Sequence, residues 1–261
     1  MVSWRHRSTP LQLDNMASLS EKAAIFHAEC SREVKRPKTR TSLAPSRVRK
    51  TRSRATNLTA SLGECLERRE SSRIFSTHGL TSGTLRTILW AAYGSTAHPV
   101  NPFLKRTVSS AGALYGIHPL VAAANVNGLP QGIYSALDGL RYILPLSLIS
   151  PIERCFRTKH VDYANAAAIV FLVGSITLLS ETYGSRGYRY LLIEAGQISQ
   201  NIALACAATD IGCVSVGGFD DVFVNSQLCS VENGAVVIHC LAIGSRDAPR
   251  EELIVRNAEQ I

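Results

Sequence analysis

The stretch Arg106-Thr-Val-Ser-Ser-Ala-Gly-Ala-Leu-Tyr115 decides how this 261-residue chain is interpreted. Its centre, Ser109-Ser-Ala-Gly-Ala113, is small and polar, so backbone amides there can approach a flat ring or a phosphate group. Taken alone, it predicts no more than a glycine turn before a strand. It gains meaning from two other stretches, Arg69-Glu-Ser-Ser-Arg73 before it and Tyr183-Gly-Ser-Arg-Gly-Tyr-Arg-Tyr190 after it.

The earlier stretch predicts an anion site. Arg69, Ser71 and Arg73 are spaced two apart directly after a predicted helix, and alternate side chains of an extended backbone share one face. Two guanidinium groups and a hydroxyl could therefore converge on one anion, and arginine suits bidentate contact with phosphate. Arg246, which follows the last predicted strand, could add a third cation. A polar surface turn is the alternative interpretation.

A further glycine-rich segment, Val216-Gly-Gly-Phe-Asp220, follows another predicted strand. Paired glycines after a strand often form only a turn. They can also expose backbone N–H groups to a bound ring.

Together and in this order, these stretches resemble the nitroreductase-like flavoproteins, and within them the SagB-type dehydrogenases. Those enzymes use FMN to oxidise thiazoline or oxazoline rings in modified peptides. In that family, the stretch at 69–73, the first in chain order, resembles the FMN phosphate clamp. The stretch at 106–115, the second, contacts the flavin, and the glycine pair at 217–218 runs beside the isoalloxazine. The residues that the resemblance places at the cofactor are Arg69, Ser71, Arg73, Ser110, Ala111, Gly217, Gly218 and Arg246.

The resemblance extends from about Phe26 to Arg246 and is densest over 66–114 and 183–244. It implies an α+β fold: a nitroreductase-like FMN-binding sandwich with a central antiparallel sheet and a long core helix. It also implies a homodimer with FMN bound at the subunit interface. The family pattern for the second stretch is Pro-Ser-Ala-Gly-Ala-Leu-Tyr-Pro, and here Ser109 replaces the first proline and Gly116 the last.

The third stretch resembles the family pattern Lys-Tyr-Gly-x-Arg-Gly-Tyr-Arg, in which the Lys-Tyr pair is implicated in taking a proton from the ring carbon while hydride passes to the flavin. Tyr183 matches that pattern, but Thr182 stands at the lysine position and Gln197 where histidine is usual. A threonine hydroxyl cannot do the acid–base work of a tuned lysine. Tyr183 could act alone or with Arg186, or both could be packing and ion-pair residues. Glu194, on the helix that follows, is expected to be a structural hydrogen-bond acceptor.

The resemblance predicts an FMN-dependent dehydrogenase that converts azolines to azoles in a peptide or small-molecule substrate. A cyclodehydratase complex is the partner that it implies. The departure at Thr182 keeps two alternatives open. One is another two-electron oxidation, such as peptide or amino-acyl dehydrogenation. The other is a catalytically weak, flavin-binding scaffold subunit of a peptide-modifying complex.

The positive charge lies in the N-terminal segment. Residues 1–60 hold 13 Lys/Arg against 4 Asp/Glu, whereas residues 61–261 hold 15 against 16. We therefore expect a basic, mobile arm over 1–56 and a flavin-binding domain over 57–261. The arm could contact nucleic acid or an acidic partner, but it lacks interleaved aromatics and any recognisable module, which argues against nucleic acid.

The remaining composition argues against several classes of protein. The seven cysteines occur singly, with no Cys-x-x-Cys pair, so neither a disulfide framework nor a metal site is expected. Cys206 and Cys240 lie in apolar runs and are expected to be buried structural thiols. The apolar run at 166–179 is shorter than the roughly 20 residues of a membrane helix and predicts a buried strand. We expect a soluble, cytoplasmic protein.

Apolar periodicity and capping residues predict the secondary structure. The first predicted helix begins at the capping residues of Asn57-Leu-Thr59 and ends near Glu67. The other predicted helices span Thr81 to Gly94, Leu146 to Cys155, Tyr188 to Thr209 and Asp221 to Cys229. The predicted strands are Leu120 to Val126, Gly132 to Tyr134, Ala167 to Val173, Ile211 to Val216 and Ala235 to Ile243. Because the helix over 188–209 is apolar almost all round, it is expected to be central.

Overall fold

The apolar strands form one six-stranded antiparallel sheet. The structure, a computed structural model, describes residues 58–96, 105–137, 139–229 and 234–246. The strands of this sheet are β2 (Ile117–Ala123), β4 (Gly132–Ser135), β5 (Arg141–Leu144), β6 (Ala168–Ser175), β7 (Gly212–Val216) and β8 (Ala235–Gly244). Their order is β5-β4-β2-β6-β8-β7, which leaves β7 at one edge. Two short strands, β1 (Leu80–Thr81) and β3 (Val126–Asn127), pair in parallel beside it.

Strand β6 lies inside the sheet and is covered on both faces, as its continuous aliphatic run predicts. Ala168, Val170 and Leu172 belong to the core on one side of the sheet. The alternating residues Ile169, Phe171 and Val173 belong to the core on the other side. The expected α+β layout around a central antiparallel sheet is therefore confirmed.

Five helices accompany the sheet in the described residues. They are α1 (Leu62–Arg68), α2 (Ser82–Tyr93), α3 (Ile176–Tyr183), α4 (Arg186–Ala208) and α5 (Asp221–Leu228). Helix α2 begins and ends where the sequence predicts, because the Thr81 hydroxyl accepts a hydrogen bond from the Thr84 amide and Gly94 follows the last turn. Helix α1 starts later than predicted, at a capping box formed by Ser61 and Glu64.

The long helix α4 packs one face against the sheet and leaves the opposite face exposed. Leu191, Ile198 and Ile202 are fully buried, whereas Leu192 and Ile193 remain 41% and 51% exposed. The expectation of a central helix therefore holds for only one side of α4 within the protomer. Two apolar side chains remain in solvent on the other side.

Other segments also differ from the sequence-based prediction. The predicted strand Leu120 to Val126 is divided between β2 and β3. The apolar run at 166–179 is a strand only as far as Ser175, where the serine side chain caps α3. Leu146 to Cys155 forms two short 3₁₀ turns instead of one helix, because Pro151 interrupts the segment. Strand β5 was not predicted, because its four residues, Arg-Tyr-Ile-Leu, show no alternation of polar and apolar side chains, and three of the four are exposed.

The cysteines expected to be structural are buried. A hydrogen bond to Cys213 and burial raise the pKa of the Cys206 thiol, and burial raises the pKa of Cys240. Both thiols therefore stay protonated and act as small apolar groups.

Two other expectations concern the ends of the chain and the membrane. The arm predicted over 1–56 lies outside the described residues. Within the described ranges, none of the helices combines the length and the apolar character that crossing a bilayer requires.

Candidate active site

The segment that carries Arg69, Ser71 and Arg73 runs in extended form along the sheet edge. Arg69 leaves α1 with φ −65° and ψ 119°, and the Ser72 amide donates to the Cys213 carbonyl of β7 at 2.9 Å. All three predicted site side chains are exposed there. The extended backbone expected from the two-residue spacing is therefore present.

A polar cavity of about 140 Å³ lies between this segment, α4 and β7. Its lining residues are Arg69, Glu70, Ser71, Ser199, Gln200, Ala203, Cys213 and Ser215. The Ser199 and Ser215 hydroxyls, which line it, are hydrogen-bonded to each other at 3.0 Å. We call this space the α4–β7 cavity, and it joins a guanidinium group to three hydroxyl groups. Arg73 is not among its lining residues.

Arg246 approaches the same segment but is already paired. Its side chain is only 7% exposed and forms an ion pair with Glu70. Its Nε atom lies 3.9 Å from Asp210 Oδ1 and has no hydrogen-bond partner among the described residues. Arg246 is thus close to the predicted clamp and is held by Glu70 and Asp210, whose negative charges offset its own.

The loop Ser109–Ala113 has a backbone that disfavours ordinary residues. Gly112 has a φ of 60°, and the non-glycine residues Ala113 and Tyr115 have φ of 55° and 53°. Each left-handed non-glycine residue costs roughly 1–2 kcal/mol. Such a conformation persists only where surrounding contacts hold it.

Glu194 supplies one of those contacts. Its carboxylate is 2% exposed and accepts hydrogen bonds from the Ser110 hydroxyl at 2.5 Å, the Tyr93 hydroxyl at 2.7 Å and the Ile117 amide at 3.3 Å. Burial and the neighbouring Glu194 charge raise the pKa of Tyr93, so its phenol remains a donor. Glu194 is the structural acceptor that the sequence predicts. The Ser110 hydroxyl, expected to face the cofactor, is bound to it.

Arg106 supports the other side of this network. It is 8% exposed, its guanidinium group lies 4.5 Å from the centre of the Tyr93 ring, and it donates to the Tyr93 carbonyl at 2.9 Å. It also donates to the Leu137 carbonyl at 3.1 Å. Its role as a neighbour of the loop is therefore one of support.

Two further side chains of α4 hold the residues before Ser110. Gln197 Oε1 accepts from both the amide and the hydroxyl of Ser109, at 3.1 and 2.9 Å. The Asn201 amide donates to the Thr107 carbonyl at 3.3 Å. Glu194, Gln197 and Asn201 are spaced three and four apart, so they lie on one face of the helix. Their spacing in the sequence already indicates a shared helix face. The sequence does not indicate which loop that face binds.

Tyr183 reaches the same loop from the end of α3. A Cβ atom built on Gly112 would lie 2.5 Å from the Tyr183 hydroxyl, so only glycine fits beneath it. The Tyr183 ring packs edge-on against Tyr190, with centroids 4.9 Å apart. Thr182 and Arg186 are half-buried on either side of the turn at Gly184. The stretch at 183–190 therefore contacts the stretch at 106–115 through Tyr183.

Gly217 and Gly218 extend β7 beyond the cavity. Gly217 is exposed, and a Cβ atom there would meet nothing within 4 Å. A Cβ atom on Gly218 would lie 2.9 Å from Thr158, and its carbonyl accepts from the Arg157 amide. Because Cys213 and Ser215 line the cavity and side chains alternate along a strand, Gly217 continues the same face.

The cavity and the loop lie on different sides of α4. At 3.6 residues per turn, the face that carries Glu194, Gln197 and Asn201 points roughly 170° away from the face of Ser199 and Ala203. The exposed stripe of α4, formed by Leu192, Ile193, Gly196 and Gln200, falls on the cavity side. Within one protomer, the two halves of the predicted site therefore do not share a cavity.

The departure at Gly116 has a direct steric reason. A Cβ atom on Gly116 would lie 2.3 Å from a Leu179 methyl and 2.8 Å from a Leu191 methyl. The backbone therefore passes so close to α3 and α4 that proline would not fit.

A family model described as the nitroreductase family matches residues 66–245. A nitroreductase-type protein of Methanocaldococcus jannaschii is 31% identical over 162 residues, which is 61% of this chain and 80% of that protein. A solved nitroreductase-type structure from Anabaena variabilis has a TM-score of 0.58 at 24% identity; it aligns with 71% of this chain, which spans only 38% of its length. A chain of the Escherichia coli microcin synthetase McbBCD complex has a TM-score of 0.56 at 16% identity, covering 93% of this chain and 99% of that one.

Replacing Glu194 by glutamine should lower the free energy of unfolding by about 1–3 kcal/mol, because an amide nitrogen would then face a hydroxyl or amide donor in a buried site. Urea unfolding followed by circular dichroism measures the change. Glu181→Gln, at an exposed position on α3, is the control and should change stability by less than about 0.5 kcal/mol. Equal effects of the two substitutions would contradict the role assigned to Glu194.

Proposed function

We propose that this chain, which belongs to the nitroreductase family, binds FMN and is an FMN-dependent oxidoreductase. The observation that carries the proposal is the composition of the α4–β7 cavity. Arg69 and Ser71 meet two further hydroxyl groups there, beside the strand that leads to Gly217. A guanidinium group with hydroxyls suits a phosphate and a polyol chain.

The size of the cavity indicates which part of FMN it would hold. Sites for whole small molecules occupy about 300–1,000 Å³, whereas this cavity measures about 140 Å³. It would therefore take the phosphate end, with Arg69 and Ser71 as the direct contacts. Arg73 would approach from the exposed side, and Arg246 would support the clamp through its ion pair with Glu70.

The other end of the cofactor would need a second surface. The loop Ser109–Ala113 lies across α4 from the cavity, while the exposed stripe of α4 adjoins the cavity and includes Leu192 and Ile193. A second copy packed on that stripe would bury these side chains and could bring its own loop to the cavity of the first. We therefore propose a homodimer in which each FMN site uses both protomers.

FMN, when bound, would supply a hydride acceptor. The chain must then hold the substrate and carry away the accompanying proton, and we assign to the Tyr183 hydroxyl the relay of that proton to solvent. Its hydroxyl lies over Gly112 in the loop, where the backbone can approach a flat ring. Arg186, at the start of α4, would orient the substrate.

The substrate we favour is an azoline ring in a peptide, which becomes an azole by losing a hydride and a proton. The third sequence stretch supports this class, and so does the similarity in fold to a chain of microcin synthetase, whose structure contains truncated pro-MccB17. Thr182 favours a second candidate, because no amine stands beside Tyr183 at that position. In that case, the chain would be a flavin-binding scaffold within a peptide-modifying complex or would catalyse a different two-electron oxidation.

The phosphate clamp can be tested by comparing FMN with riboflavin, which lacks the phosphate. Replacing Arg69 and Arg73 together by alanine should weaken FMN binding at least tenfold, because charge-assisted hydrogen bonds are lost. Riboflavin affinity should hardly change. Fluorescence titration measures both constants, and Arg141→Ala, on the opposite edge strand, is the control. An unchanged preference for FMN would place the phosphate elsewhere.

The shared site can be tested by mixing two defective variants. One carries Arg69→Ala with Arg73→Ala, and the other carries Gly112→Ala, which places a methyl group against the Tyr183 hydroxyl. If each site uses both protomers, random reassociation should restore about one quarter of the wild-type FMN sites, since half of the dimers would be mixed and each would hold one intact site. No recovery in a sample shown to contain mixed dimers would mean that each site belongs to one chain.

The assignment of the proton step predicts a gain from Thr182→Lys. With a thiazoline-containing peptide, the added amine should raise turnover about tenfold or more, since a positioned base accelerates proton transfer. Glu181→Lys places the same ammonium group at the neighbouring exposed position, with a net-charge change of +2 against +1 for Thr182→Lys, and should give no gain. If Thr182→Lys also gives none, the scaffold or another oxidation becomes the better account.

A further inference from the structure

Gln197 makes an unusual double contact with Ser109. A single amide oxygen accepts both the backbone amide and the hydroxyl of one residue 88 positions away, at 3.1 and 2.9 Å. A carbonyl oxygen has two lone pairs, so both hydrogen bonds can form at once. The contact therefore uses the full acceptor capacity of that oxygen.

These two residues are also two of the positions at which the chain departs from the family pattern. Proline, the pattern residue at position 109, has no amide hydrogen and no hydroxyl, so it could make neither hydrogen bond. Histidine, the pattern residue at position 197, accepts at most one hydrogen bond on its neutral ring. The double contact therefore requires the serine and the glutamine that this chain carries at positions 109 and 197.

The contact also sits where the loop needs support. Proline fixes φ covalently, whereas serine leaves the backbone free. The next residues include Gly112, Ala113 and Tyr115, all with left-handed φ. On α4, Gln197 lies between Asn201, which donates to the Thr107 carbonyl just before the loop, and Glu194, which accepts from the Ser110 hydroxyl. The three side chains therefore form a continuous row along α4. Hydrogen bonds from the helix thus take over the restraint that proline would provide.

We propose that Ser109 and Gln197 are a matched pair of positioning residues that fixes the loop Ser109–Ala113 for contact with the flavin. The link to the flavin rests on the function proposed above, whereas the pairing itself does not.

The test is a double-mutant cycle with Ser109→Ala, Gln197→Met and their combination. Methionine keeps the length of the side chain and removes the acceptor, and alanine removes one of the two donors. In FMN-free protein, Gln197→Met should speed amide hydrogen exchange over 107–115. In FMN titrations it should weaken binding about three- to tenfold, the range expected for one or two hydrogen bonds.

The double variant should be no weaker in FMN binding than Gln197→Met alone, because the partner of the Ser109 hydroxyl is already absent. The visible flavin spectrum should shift in Gln197→Met and not in Gln131→Met, a control glutamine that bonds the Ala124 carbonyl.

Strictly additive effects of the two substitutions, or unchanged exchange over 107–115 in Gln197→Met, would overturn the proposal. If the wild-type protein binds no flavin, the proposed function fails, while the exchange experiment still decides whether the pair holds the loop. If Gln197→Met does not fold, Ser109→Ala alone provides the decision, since loss of its hydroxyl contact should still speed exchange over 107–115.

Discussion

The buried carboxylate of Glu194 is the contact on which the rest of the site depends. It binds the end of α2 through Tyr93, the loop through Ser110 and the start of β2 through the Ile117 amide. A carboxylate that is 2% exposed is costly unless its lone pairs are used, and three donors use them here. Because all three donors converge on α4, the position of that helix determines the positions of the loop and of the first residues of the sheet.

Helix α4 connects two kinds of chemistry on its two sides. One side holds a strained loop through a row of polar side chains, and the other carries the α4–β7 cavity and the exposed stripe. The central helix leaves two apolar residues, Leu192 and Ile193, exposed, and the cavity beside it is too small for a whole cofactor. Both observations favour a second copy of the chain packed on this side of α4. They explain why a site split between two copies is the arrangement we propose.

Much of this fold follows from the sequence, because burial on both faces leaves a continuous aliphatic run, as in β6, and capping residues mark α2 at Thr81 and Gly94. Helix α3 was not predicted, because β6 is followed directly by this helix and the run at 166–179 is apolar throughout. Only Ser175 marks the boundary between the strand and the helix. In the site, the spacing of Arg69 and Ser71 predicted their shared face. The pairing of Arg246 with Glu70, of Ser110 with Glu194 and of Tyr183 with Gly112 depends on contacts between distant positions, which local patterns do not encode.

Whether these motifs form a working FMN site is tested most directly by the absorbance spectrum of the purified protein. The chromophore is then released by heat denaturation and identified. We expect the protein to show visible flavin bands and to release about one FMN per chain, because the sites of a symmetric dimer are equivalent. A colourless protein that cannot be reconstituted with added FMN would contradict this expectation, and the chain would then retain the fold without the cofactor.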